Sequence, residues 1–175
     1  MGDGRGDGVP DAEPGADAPG PAGPGPAIVL VEPLIPGNTG TIARTCAALQ
    51  IDLCVVGPTG FDLSDRAARR AGLDYWPFVP LHVFADWEAF LSERSPREES
   101  LALFEEWGAR DATEVDWPED AHLVFGTETT GLPQRVLEGR EDRVVRLPMR
   151  SKDVRSLNLA CAATAGAYLA LRGRL

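Results

Sequence analysis

An α/β domain built on a mainly parallel sheet is the fold predicted for this chain of 175 residues, and two observations predict it. Short runs rich in Val, Ile, Leu and Phe recur along the sequence with segments of helical character between them. Strands that alternate with helices are covered on both faces and so read as continuous apolar runs. Three of the loops that follow such runs are crowded with Gly, Pro, Asn and charged side chains, and ligands of open parallel sheets bind beyond the carboxyl ends of the strands.

Residues 1–26 contain eight Gly and six Pro and almost nothing to bury, so they are expected to be a disordered tail, with the folded domain spanning 27–175. An RGD triplet at 5–7 is a chance occurrence in that Gly/Asp-rich context. "AIVLVE" (27–32) is the first expected strand, and Asn38 or Thr39 is the expected N-cap of a helix over 39–50. "IDLCVVG" (51–57) and "FVPLHVF" (78–84) are the next strands, separated by a helix at 64–72. Asp86 should cap "DWEAFLSER" (86–94), after which "SLALF" (100–104) returns to strand. The acidic stretch 105–120 carries two Trp and no clear period. "HLVFG" (122–126), a short helix at 133–139, "RVVRLP" (143–148) and an Ala-rich helix at 156–172 complete the series.

Neither an apolar signal core nor an Arg-rich import pattern opens the sequence, and no run of 18 apolar residues occurs in it, so a cytoplasmic protein with no membrane partner is expected. Cys46, Cys54 and Cys161 are odd in number and set among apolar residues, as buried free thiols would be. With only His82 and His122 besides, no metal constellation can be assembled.

The net charge of −10 is unevenly distributed, being −4 over residues 1–26, −11 over 27–129 and +5 over 130–175. Arg135, Arg140, Arg143, Arg146, Arg150, Lys152 and Arg155 lie close together in that last third, a pattern suited to an anion-binding surface.

The unusual loops are "EPLIPGNTG" (32–40), "GTETTGLP" (126–133) and "LPMRSKDVRSLNLA" (147–160). Leu132-Pro133 stands where a nucleotide triphosphatase loop needs Lys-Ser/Thr, and no G-x-G-x-x-G follows the first strand. Taken singly, Glu128 reads as a carboxylate at a helix start, and Ser156 or Asn158 as the N-cap of the last helix. Taken together, Asn38, Arg44, Glu128, Ser156 and Asn158 occur at or just past strand ends that would share one sheet edge.

"EPLIPGNTGTIARTCAAL", "FGTETTGLP" and "LPMRSKDVRSLNLACAATAGAYLALR" resemble the three motifs of the SPOUT methyltransferases, specifically the TrmH-like 2′-O-methyltransferases. With "RRAGLDYW" (69–76), the likeness is greatest to the TrmL type, the tRNA (cytidine(34)-2′-O)-methyltransferases, and it covers residues 27–172. The resemblance implies a SPOUT α/β knot, a deep C-terminal trefoil knot in which S-adenosylmethionine binds, with no metal. It places cofactor contacts at Leu103, Gly126, Leu147 and Ser156. It also implies a homodimer joined through the first and last helices, for which the small residues Ala160, Ala163 and Ala167 would leave room, although packing inside one chain explains them equally well.

The same resemblance makes Arg44, Asn38, Glu128, Ser156 and Asn158 the catalytic group for methylation of a tRNA ribose, at wobble nucleotide 34. It assigns the Arg the role of general base, but a guanidinium stays charged in proteins. Arg44 is better suited to hold the target phosphate and to stabilise charge on the 2′-oxygen, with the base left open. Thr130 stands where many relatives have Arg, and Glu105 and Glu106 stand where Thr and Lys are frequent. A TrmH-like enzyme for another tRNA or rRNA site, and a catalytically silent RNA-binding protein, are the alternative readings.

Overall fold

The computed structural model describes residues 25–70 and 72–175, so the expected tail lies almost wholly outside the described residues. Seven strands form one sheet: β1 (Ala27–Val31), β2 (Asp52–Val56), β3 (Leu81–Phe84), β4 (Leu101–Phe104), β5 (Arg110–Asp111), β6 (His122–Phe125) and β7 (Val144–Arg146). Their spatial order is β3-β2-β1-β6-β4-β7-β5, and every pairing is parallel. The helices are α1 (Pro36–Leu49), α2 (Asp65–Arg70), α3 (Trp87–Arg94), α4 (Gln134–Leu137) and α5 (Leu159–Ala170). No described helix is long and apolar enough to cross a membrane.

Each strand feeds both faces of the sheet because its side chains alternate. Ile28, Leu30 and Leu123 pack with Ile42, Ala43 and Cys46 of α1 and Ala163 and Ala167 of α5. Val29, Val31 and Leu103 pack on the other face with Trp87 and Phe90 of α3 and Val136 of α4. The result is a three-layer α/β/α sandwich. Ala160, Ala163 and Ala167 are buried inside the monomer against its own core, so the alanine face serves packing within one chain and needs no partner to explain it.

Several local expectations change. α1 begins at Pro36 with Ile35 as its N-cap and no side-chain cap, so neither Asn38 nor Thr39 caps it. Proline fits the first helical position because its missing N–H is one of the orphans there. Asp86 does cap α3, accepting from the Ala89 N–H at 2.8 Å. α5 starts at Leu159, and the Asn158 side-chain Oδ1 accepts from the N–H groups of Ala160 and Cys161. The acidic stretch contributes β5, two residues long and paired with β7. Cys46 and Cys54 are buried, whereas Cys161 is exposed; burial pushes the Cys54 thiol up to about 12.

Much of the basic cluster is committed internally. Arg135 pairs with Glu32, Arg140 with Glu98 and Arg143 with Asp142, while Arg146 donates to the Gly108 carbonyl at 2.6 Å. Arg150, Lys152 and Arg155 stay exposed in the loop between β7 and α5.

Candidate active site

Strand ends from β4, β6 and β7 converge on a cavity of about 390 Å³ at the carboxyl edge of the sheet, the location expected for ligands of an open parallel sheet. Phe104, Phe125, Leu147 and Leu159 supply apolar walls, and Glu105, Glu128, Arg155 and Ser156 supply polar groups. Phe104 and Phe125 stack with ring centroids 4.4 Å apart.

The loop after β6 folds back on itself. Thr127 and Gly131 exchange backbone hydrogen bonds at 3.0 and 3.1 Å, and Thr130 closes the turn through its hydroxyl contact with Thr127 at 2.8 Å. A Cβ on Gly126 would lie 2.0 Å from the Gly131 carbonyl carbon, so this close approach of two backbones requires glycine. Gly131 itself has φ +72, in the left-handed region. Glu105 ties the end of this loop to β4 by accepting the Leu132 N–H at 2.5 Å. Burial raises the Glu105 carboxyl, partly offset by that bond. One of the two unexpected acids therefore has an internal structural task.

Glu128 reaches across to the start of α1. Its Oε2 accepts from the Leu34 N–H at 2.9 Å, and its Oε1 accepts from the Ile35 N–H and the Asn38 amide, both at 3.1 Å. Burial alone would raise this carboxyl, but the Leu34, Asn38 and Ile35 donors outweigh it and hold it below the usual carboxylate range. A carboxylate so engaged is a weak base and a good anchor. The Asn38 Oδ1 in turn accepts from the Asn158 amide at 3.0 Å. Three of the expected site residues, one from each motif, thus form a continuous Glu128–Asn38–Asn158 relay.

Of the four positions expected to contact a cofactor, Gly126, Leu147 and Ser156 line the cavity. Leu103 does not: its side chain is fully buried in the core on the α3 and α4 face. Strand alternation turns the next residue, Phe104, into the wall. Arg44 also lies off the cavity of its own chain. Its guanidinium sits 4.4 Å over the Tyr75 ring and 3.7 Å from Asp74. Phe104, Phe125 and Arg155 were missed as cavity residues. Phe104 and Phe125 are signalled only by position, each ending a strand before a turn, and Arg155 by its place in the basic cluster ahead of the last helix.

The cavity fits S-adenosylmethionine in size, since pockets for ligands of this class start at about 300 Å³, and the glycine cradle admits a ligand close to backbone. Residues 25–168 match the model of the SpoU rRNA methylase family. The chain belongs to that family.

Among relatives of this SpoU methylase, the tRNA (cytidine(34)-2′-O)-methyltransferase of Saccharophagus degradans is 43% identical over 146 residues, covering 83% of this chain and 93% of the relative. A structure solved for the 2-OH methylation of C/U34 on tRNA superposes with a TM-score of 0.75 at 41% identity, covering 86% of this chain and 97% of the other. The SpoU methyltransferase AviRb of Streptomyces viridochromogenes, in complex with AdoMet, gives a TM-score of 0.70 at 27% identity, over 85% of this chain and 60% of that one. The chain is an S-adenosylmethionine-dependent RNA methyltransferase by this membership.

Proposed function

We propose that the protein methylates the ribose 2′-oxygen of nucleotide 34 in tRNA, as a cytoplasmic homodimer whose C-terminal segment forms the trefoil knot of its relatives. The observation that carries the reading is the Glu128–Asn38–Asn158 relay beside a cavity lined by Gly126, Leu147 and Ser156. The names and coverage of the relatives at about 40% identity support the choice of substrate.

S-adenosylmethionine supplies the methyl group as a sulfonium when bound. The residues of the chain then have to place the 2′-hydroxyl in line with it and accommodate loss of the hydroxyl proton. The relay holds the β6–α4 loop against α1; Ser156 and the backbone at Gly126 and Leu147 would hold the cofactor, and Arg44 would hold the target phosphate and stabilise charge on the 2′-oxygen. Arg150, Lys152 and Arg155 provide exposed cations for the RNA backbone.

Two observations support a dimer. Leu34, Ile35 and Leu157, at the starts of α1 and α5, and Tyr168 on α5 are exposed apolar groups. Arg44, on α1 and outside its own chain's cavity, could be delivered to a partner's cavity by association through that helix. Mass spectrometry of tRNA from cells with and without the protein tests the function. Loss of a single 2′-O-methyl at position 34 is expected; a loss at another tRNA or rRNA site would favour the broader TrmH-like reading, and no loss would favour a silent RNA-binding protein.

A further inference from the structure

We infer that Tyr75 is a positioning residue for Arg44, with Tyr75 and the neighbouring Leu73 forming a platform against α1 that sets the direction of the guanidinium before RNA arrives. The inference rests on the reading that Arg44 serves the reacting ribose.

A lone arginine on an exposed helix face ordinarily samples many rotamers, and freezing it on binding RNA costs conformational entropy. Here its guanidinium lies 4.4 Å from the centroid of the Tyr75 ring, within the range of a cation–π contact. The ring cannot slide away, because the Tyr75 hydroxyl donates to the Gly40 carbonyl at 2.8 Å. Gly40 and Arg44 are one turn apart on the same helix face. The tyrosine is therefore laid along α1, with its hydroxyl fastened one turn back and its ring under the guanidinium.

Leu73 packs beside Gly40 as well, its Cδ1 standing 3.6 Å from where a Gly40 Cβ would be. Asp74 is the weaker neighbour. It is 3.7 Å from Arg44, with the two side chains 87% and 67% exposed, and solvent screens such a pair almost completely. The tyrosine ring, anchored through its hydroxyl, is the fixed neighbour of the two, and exposed Asp74 leaves the cation free to exchange its carboxylate for a phosphate.

Single-turnover methylation of tRNA by the full chain tests this. Tyr75→Leu should slow transfer roughly two- to fivefold, the scale of an exposed cation–π contact, with S-adenosylhomocysteine affinity unchanged by calorimetry. Tyr75→Phe keeps the ring but loses the hydroxyl that fastens it to Gly40, and should slow transfer less than Leu does; Tyr75→trifluorophenylalanine also lacks the hydroxyl and keeps the shape of Phe but removes the negative face, and should be slower than the Phe protein, close to the Leu defect. In an Arg44→Ala background, Tyr75→Leu should add nothing.

Equal rates for the phenylalanine and trifluorophenylalanine proteins would overturn the inference, and so would additive losses in the double variant, since packing alone predicts both. The fluorinated pair keeps the test decisive even if Tyr75→Leu fails to fold. Full activity in Arg44→Ala would instead remove the role of Arg44 itself, a result distinguishable from failure of Tyr75 alone.

Discussion

The Asn158 amide donates to the Asn38 Oδ1 at 3.0 Å across 120 positions of sequence, and the Asn38 amide passes the connection on to Glu128. Asn158 also caps α5 through its side-chain Oδ1. One side chain therefore fixes the start of the last helix and the start of the first.

Asn158→Ala removes both functions at once. Losing an N-cap costs about 1 kcal/mol, and the stranded Asn38 oxygen adds about 1–3 kcal/mol where it is buried. Thermal denaturation should show a melting temperature lower by several degrees. Asn158→Asp keeps the cap but replaces an amide donor with a carboxylate facing Asn38; it should recover only part of the loss. Recovery to the parent value would mean that the relay contributes nothing beyond the cap.

Gly126→Ala places a methyl group against the Gly131 backbone. The turn must shift, which costs about 1–3 kcal/mol in an overpacked site, and the cradle for the cofactor opens. Calorimetry should find S-adenosylhomocysteine binding weakened tenfold or more while the protein stays folded at room temperature. Unaltered affinity would place the cofactor elsewhere.

Arg44→Ala should leave the proposed dimer and the cofactor affinity intact and lower methyl transfer about a hundredfold, the scale of one lost transition-state donor. Arg44→Lys should recover little, because an ammonium does not reproduce the guanidinium fork. Mixing Arg44→Ala with Gly126→Ala protomers tests delivery across the dimer. Heterodimers would regain one intact site if the arginine comes from the partner, and activity that stays absent on mixing would assign Arg44 to its own chain's cavity.

The amino-terminal end of the central strand β6 gives a pH dependence. Burial pushes the His122 imidazole below its ordinary value, and Arg94 adds to that effect, donating to the ring at 3.2 Å, with Asp120 and Asp52 opposing. The unfolded state then binds the proton more readily. This contribution to stability is present above about pH 6.5 and is lost as pH falls through the lower folded value. Urea melts should show stability declining as pH drops below that range, and His122→Gln should flatten the decline. Glu128, also depressed, acts with the same sign only in the more acidic carboxylate range. A pH-independent midpoint between neutrality and mild acidity would contradict the assignment.

The strands and the sheet's parallel character were legible in the sequence, because runs such as "AIVLV" and "HLVF" must be buried on both faces and only a helix-covered sheet does that. Asp86 as a cap was legible for the same kind of reason: capping is settled by residues within one turn. The three loops that form the cavity were identifiable because their Gly, Pro and Asn content has no use inside regular elements.

What the tertiary structure alone decided depends on distant partners. Asn38 is a relay residue and no cap, because Glu128 arrives from 90 positions away to accept its side-chain amide, together with the Leu34 and Ile35 N–H groups just before α1. Leu103 and Phe104 are adjacent and both apolar, and only the placement of α3 and α5 on opposite faces determines which one meets the cavity. The basic cluster reads as one surface in sequence, yet carboxylates and a carbonyl brought by folding engage Arg135, Arg140 and Arg146. Local chemistry can be read from neighbours along the chain, whereas the role of a polar side chain is set by whichever group the fold carries within about 3 Å of it.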